Sequence, residues 1–224
     1  MTTRIPKRKL KRMEASQLEN NPGYRRVLEL DFGEMIPFVL THIRKRSIIS
    51  YFYAAVNLGL FTMLLYSLIR GLAMDRLTWS QVFKQSITGI LAGSFLIIPV
   101  HELIHGIAYK ILGAKKIHFG ADMKQFIFFV TVDRYPVSGN QLYLLAMLPF
   151  LLINLVAAVF LFLWMPQLYL FFSFLLLSHN IMCIGDFAVV NYVYHLPGKV
   201  YSFDNVEEKK SYFFIREEPG NPAY

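Results

Sequence analysis

Residues 85–112 read QSITGILAGSFLIIPVHELIHGIAYKIL, a largely apolar run in which Pro99, His101, Glu102 and His105 stand out. A helix rises about 1.5 Å per residue, so this stretch is long enough to cross the roughly 30 Å hydrocarbon layer of a bilayer. Ionisable groups at that depth are expensive, and where they occur they mark function. The rest of the chain agrees with a membrane setting. Of 224 residues, 55% are hydrophobic and only 17% charged, and mean hydropathy is +0.40, whereas a soluble domain carries about 25% charged residues.

Three further runs have spanning length: residues 48–69, 141–164 and 168–194, with Met165-Pro166-Gln167 as the turn between the last two. The expected fold is therefore all-α and integral to the membrane, with four transmembrane helices. Between spans two and three, Lys116 to Asp122 and Gln125 to Val132 are short and rich in strand formers, which predicts a β-hairpin on the cytoplasmic side. Residues 1–47 form a basic cytoplasmic or interfacial segment, without an apolar core of the kind a cleaved signal needs. Part of it, from Val27 to Ile43, is expected to lie along the membrane surface, interrupted at Pro37. Residues 48–195 form the membrane domain, and residues 196–224 a polar cytoplasmic tail.

Charge sets the orientation. Twenty Lys and Arg fall on the side of the two termini and three (Arg70, Arg76 and Lys84) on the other, so both ends are expected in the cytoplasm of a multi-pass cell-membrane protein. The net charge of +8 is concentrated where anionic lipid headgroups would meet the N-terminal segment, a pattern that argues against nucleic acid as a partner. The single cysteine, Cys183, excludes both an internal disulfide and a cysteine-based zinc cluster.

His101-Glu102-Leu103-Ile104-His105 is an H-E-x-x-H sequence. On a helix the two imidazoles lie about 40° apart and one turn from each other, so both reach one zinc ion, while Glu102 stands beside the metal as a general base would. A bound metal acidifies water, and a carboxylate within hydrogen-bond reach takes its proton. Catalytic zinc needs a third protein ligand. Asp186 lies nine residues from His195, and His101 nine from Lys110, placing both about 13.5 Å below the cytoplasmic ends of parallel spans. His179, the competing ligand, is about 10 Å farther from that end than Asp186. Asn154 and Asn180 suit either an oxyanion contact or interhelical packing, Gly89 and Gly93 suit close helix packing, Cys183 reads as inert core, and His118 and His195 as interfacial.

Val100-His-Glu-Leu-Ile-His-Gly106, Phe119-Gly120, Leu148-Pro149-Phe150, Ile184-Gly185-Asp186-Phe187 and Asp204 together resemble the putative zincin peptidases, a bacterial membrane family. More distantly the chain is similar to the site-2 intramembrane metalloproteases, although those carry glycine after the liganding aspartate and here Gly185 precedes it. The resemblance implies zinc, His101, His105 and Asp186 as ligands, Glu102 as base, and a membrane protein or peptide as substrate. Since a peptide bond in an intact helix is shielded, the substrate is expected to unwind and add as a strand along Phe126, Phe128 and Val130. The rival reading is a non-catalytic metal-binding or ion-translocating membrane protein, because His and Asp within a bundle also mark ion pathways.

Overall fold

The computed structural model describes residues 13–123 and 127–217. Its longest elements are apolar helices: α3 (Ile48–Ala73), α4 (Trp79–Leu91) running on into α5 (Ile97–Ile111), α6 (Gly139–Val159), α7 (Tyr169–Met182) and α8 (Ile184–Tyr194). Three helical rods, Ile48–Ala73, Trp79–Ile111 and Gly139–Trp164, are long and apolar enough to cross a membrane, and Pro166–Met182 with Ile184–Tyr194 makes a fourth if the bent pair counts as one. Their outer faces expose large apolar side chains, among them Leu58, Ile69, Leu96, Phe162 and Leu163, as lipid-facing surfaces do.

Helix packing follows from small residues and buried amides. A Cβ on Gly89 would lie 2.5 Å from the Phe171 carbonyl oxygen, and one on Gly93 2.4 Å from that of Leu175. No larger residue lets α4 and its continuation approach α7 this closely. Asn154 and Asn180 join α6 to α7 through a reciprocal amide pair, at 2.7 and 3.1 Å. Asn191 of α8, fully buried, donates to the carbonyls of His42 and Lys45 at 2.7 and 2.9 Å and accepts from the Ser47 hydroxyl, which also caps α3. Each of these buried polar groups is thereby satisfied.

Two features depart from the sequence expectation. The fourth span is not one helix: it bends by 44° at Cys183. No proline stands at the break, and the low helix propensity of Gly185 just beyond it is the one local signal. The two ends of the chain, expected as a surface segment and a polar tail, also build a sheet together. Besides α1 (Ala15–Asn20) and α2 (Met35–Ile43), the fold contains β1 (Tyr24–Asp31), β4 (Val137–Ser138), β5 (Val200–Asn205) and β6 (Lys210–Arg216) in the antiparallel order β1-β6-β5-β4. Thus Val27 to Leu30 are strand, and Pro37 lies in the first turn of α2, where a missing amide proton is tolerated. Alternation along β6 explains the layer: Tyr212 and Phe214 pack with Leu18 of α1, whereas Phe213 and Ile215 pack with Phe38 of α2 and Val193 of α8. The hairpin between spans two and three is present as β2 (His118–Asp122) paired with β3 (Ile127–Thr131).

Candidate metal centre

Directly ahead of the H-E-x-x-H sequence the helix widens. Ala92–Leu96 form a π turn, with the Ile97 amide donating to the Ala92 carbonyl five residues back; such turns gather at functional sites. Pro99 lies just past this turn, in the first turn of α5. Beyond it α5 is regular and carries His101 and His105 on one face. Their Nε2 atoms are 3.0 Å apart.

Asp186 meets both. Its Oδ2 lies 3.2 Å from His101 Nε2 and its Oδ1 3.4 Å from His105 Nε2. The bend at Cys183 has a direct effect here, because it makes Asp186 a first-turn residue of α8, where the positive end of the helix dipole favours a carboxylate. Ligand atoms about 2.0–2.1 Å from a tetrahedral zinc stand about 3.3 Å from one another. The separations of 3.0, 3.2 and 3.4 Å and the His₂-carboxylate chemistry both fit that ion.

The far side of each ring is held. His105 Nδ1 lies 3.0 Å from the Leu145 carbonyl, which can only accept, so the proton sits on Nδ1 and Nε2 keeps its lone pair for a metal. That carbonyl is available because of a proline: residue 149, four on from Leu145 within α6, is Pro149 and has no amide proton to give it. His101 Nδ1 lies 3.2 Å from His179 Nε2. His179 is thus on the opposite edge of the His101 ring from Asp186, and the two are not alternatives around one ion. Cys183 joins this far side, with Sγ 3.5 Å from His179 Nε2 and 3.9 Å from His101 Nδ1. Among the described residues two groups could hold a metal, His101, His105 and Asp186 or His101, His179 and Cys183, so Cys183, expected as inert core, stands among the possible donors.

Glu102 lines the same cavity as the imidazoles, and its carboxylate accepts a hydrogen bond from the Val130 amide of β3. The cavity is about 480 Å³ and reaches from Gly93 and Asp186 to α2 and the terminal sheet. Phe128 and Val130 line it, while Phe126 lies outside the described residues. Asn154 and Asn180 bond each other, and Asn180 also stands beside His179. His118 is exposed on β2, and His195 Nδ1 meets the Asn191 carbonyl at 2.8 Å. Two residues entered the sequence reading only as parts of motifs, without a role. Pro149 could have been found from an apolar helical run with an internal proline, which implies a free carbonyl four residues earlier. Asp204, present only as a motif residue, comes into the cavity on β5, and its non-local pairing left no periodic signal.

No curated protein and no solved structure is similar to this chain at a significant level. A family model does match, over residues 94–201, a segment that begins in the π turn and includes His101, Glu102, His105 and Asp186; by that match the chain is similar to the family described as "Putative zincin peptidase".

Proposed function

We propose that this protein is a zinc-dependent membrane metallopeptidase that hydrolyses peptide bonds within or near the cytoplasmic half of the bilayer. The observation that carries the reading is the convergence of His101, His105 and Asp186 donor atoms at 3.0–3.4 Å with Glu102 beside them in one cavity. His101, His105 and Asp186 hold the metal and Glu102 is the base. Zinc, when bound, supplies Lewis acidity that lowers the pKa of water and polarises a carbonyl. Glu102 takes the proton and delivers it to the leaving amine. Val130 orients Glu102 through its backbone amide, and β3, paired only with β2 among the described residues, has a second edge that includes Phe128. A substrate strand added there regains the backbone hydrogen bonds it loses on unwinding. The ligand set of His101, His105 and Asp186 with Glu102 as base is the one that the distant resemblance to the site-2 proteases implies.

Glu102→Gln keeps side-chain size while removing the base. Zinc content is expected to be retained and cleavage to fall by about 10²-fold or more, with substrates recovered as membrane peptides that accumulate in the variant strain. Cleavage equal to wild type overturns the mechanism. Four spans with both termini cytoplasmic complete the reading, and the basic N-terminal segment binds anionic lipid. In a Cys183→Ser background, a cysteine at Asp75 reacts with an impermeant thiol reagent applied outside cells and one at Glu207 does not; the reverse inverts the topology.

A second reading, metal translocation, is favoured by one observation: the His101–His179–Cys183 donor group abuts the first and shares His101. Metal flux into proteoliposomes that requires His179 and Cys183, with no cleavage by wild type, replaces the peptidase reading.

A further inference from the structure

Four carboxylates line the cavity (Glu102, Asp122, Asp186 and Asp204), and among the described residues no Lys or Arg does, in a chain whose net charge is +8. Asp186 and Glu102 have roles in the peptidase reading, and Asp122 already has partners of its own. Asp204 remains. Its Oδ2 accepts from the Thr131 hydroxyl and its Oδ1 from the Ser211 hydroxyl, both at 2.6 Å. Thr131 is 2% exposed and Ser211 9%, so both donors are fixed in the fold and aim the carboxylate.

A carboxylate offers about four lone-pair positions; two are taken here, and no ion pair among the described residues involves Asp204. Arg134, the nearest cation in sequence to Thr131 on the hairpin side, is committed to Glu19 at 2.6 Å. Burial raises the Asp204 pKa above the ordinary carboxylate range although both hydroxyls pull the other way. A cation entering the cavity beside this carboxylate favours its ionised form.

We propose that Asp204 is a cation subsite of the cavity, which takes an ammonium or guanidinium carried by the peptide that the metal centre cleaves. The proposal rests on the peptidase reading. It also fixes a distance. Val130 holds Glu102 and the next residue, Thr131, holds Asp204, so the two carboxylates lie within about 10 Å, or about three residues of extended chain at roughly 3.3 Å each. The preferred substrate therefore carries a Lys or Arg within about three residues of the scissile bond, in an otherwise apolar segment that suits Phe128, Val130 and the α2 wall.

The probes are apolar Leu/Ala heptapeptides, acetylated and amidated at their ends, with one lysine moved through each position and a matched set bearing Nε-acetyl-lysine. Binding is measured by fluorescence anisotropy to the detergent-solubilised full chain as Glu102→Gln, which prevents turnover. Lysine at one or two positions is expected to bind about tenfold or more tighter than its acetylated match, the worth of a charge-assisted hydrogen bond, and Asp204→Asn is expected to abolish that ratio. No preference at any position, no binding by any peptide, or a ratio unchanged by Asp204→Asn overturns the subsite. Should Asp204→Asn fail to fold, zero-length carbodiimide cross-linking of the lysine peptide to the Glu102→Gln protein decides: an adduct at Asp204 supports the proposal, and one at Asp122 or Asp186 alone overturns it. In vesicles of phosphatidylethanolamine, an Asp204 adduct with the lipid at the expense of the peptide assigns the subsite to a lipid amine and overturns the peptide assignment. Lysine-dependent binding without cleavage by wild type would refute the peptidase reading and leave the subsite, whereas cleavage indifferent to lysine would do the opposite.

Discussion

His101 and His105 stand one turn apart and bring the same ring nitrogen to the same point, yet the bundle secures their far sides differently. Behind His105 lies a backbone carbonyl, Leu145 O at 3.0 Å, left free by Pro149. Behind His101 lies a second imidazole, His179 at 3.2 Å, with Cys183 against it. The first arrangement holds geometry and nothing more, since a carbonyl neither titrates nor readily leaves its helix. The second brings chemistry into the core. His179 is 2% exposed, and beside the Asn180 amide its Nδ1 makes no hydrogen bond of good geometry among the described residues, a cost that an apolar side chain would not incur. What the pair teaches is that one imidazole is braced by the fold alone, whereas the other is coupled to a donor group able to hold an ion itself.

Removing the ligand common to both imidazoles gives the largest effect and tests which side of His101 the metal occupies. Asp186→Ala is expected to weaken zinc binding by more than about 100-fold, beyond the range of partners that only orient a ligand, as read by competition with a chelator of known affinity. His105→Ala should behave alike. If Asp186→Ala binds as wild type does while His179→Ala does not, the ion sits on the Nδ1 side and the comparison is broken.

The far side of His101 comes next. His179→Phe fills the space and removes the acceptor, and a loss of about 10- to 100-fold in zinc affinity is expected. His179→Gln, which restores an acceptor at the distal position, should recover most of that loss. A purely packing role predicts no such rescue. Cys183→Ser keeps a small polar group beside His179 and should change affinity by no more than about threefold, since sulfur is a weak hydrogen-bond partner; a loss as large as that of His179→Phe makes Cys183 a ligand.

These contrasts also show what the amino-acid sequence could convey. The long apolar helices and the His pair were legible because each rests on local regularity: a long uncharged run, and four-residue spacing on a helix. That Asp186 comes close to the His pair was reachable by counting residues along two apolar helical runs. The bend at Cys183 was not, because no proline or glycine pair marks it, and so the placement of Asp186 at a helix start went unread. The terminal sheet was also hidden. Tyr24 pairs with Arg216, and no short-range pattern reports a partner at that separation. Asp204 enters the cavity only through that sheet.

The smallest effect belongs to the side of His105, and it separates local geometry from stability. Pro149→Ala returns an amide proton to position 149, which then competes with His105 Nδ1 for the Leu145 carbonyl. His105 loses its fixed orientation for part of the time, and zinc affinity is expected to fall by about threefold to tenfold, at or below the lower end for a ligand-orienting partner. The helix itself gains, since alanine is about 3 kcal/mol more favourable than proline in a helix interior, although Pro149 is fully buried and the smaller side chain gives back some of that through a cavity. The metal-free variant should therefore unfold no earlier than wild type on heating. Weaker zinc binding with an undiminished unfolding temperature marks Pro149 as the source of a free carbonyl. If affinity and stability fall together, the proline is a packing residue, and the two imidazoles differ less than their surroundings imply.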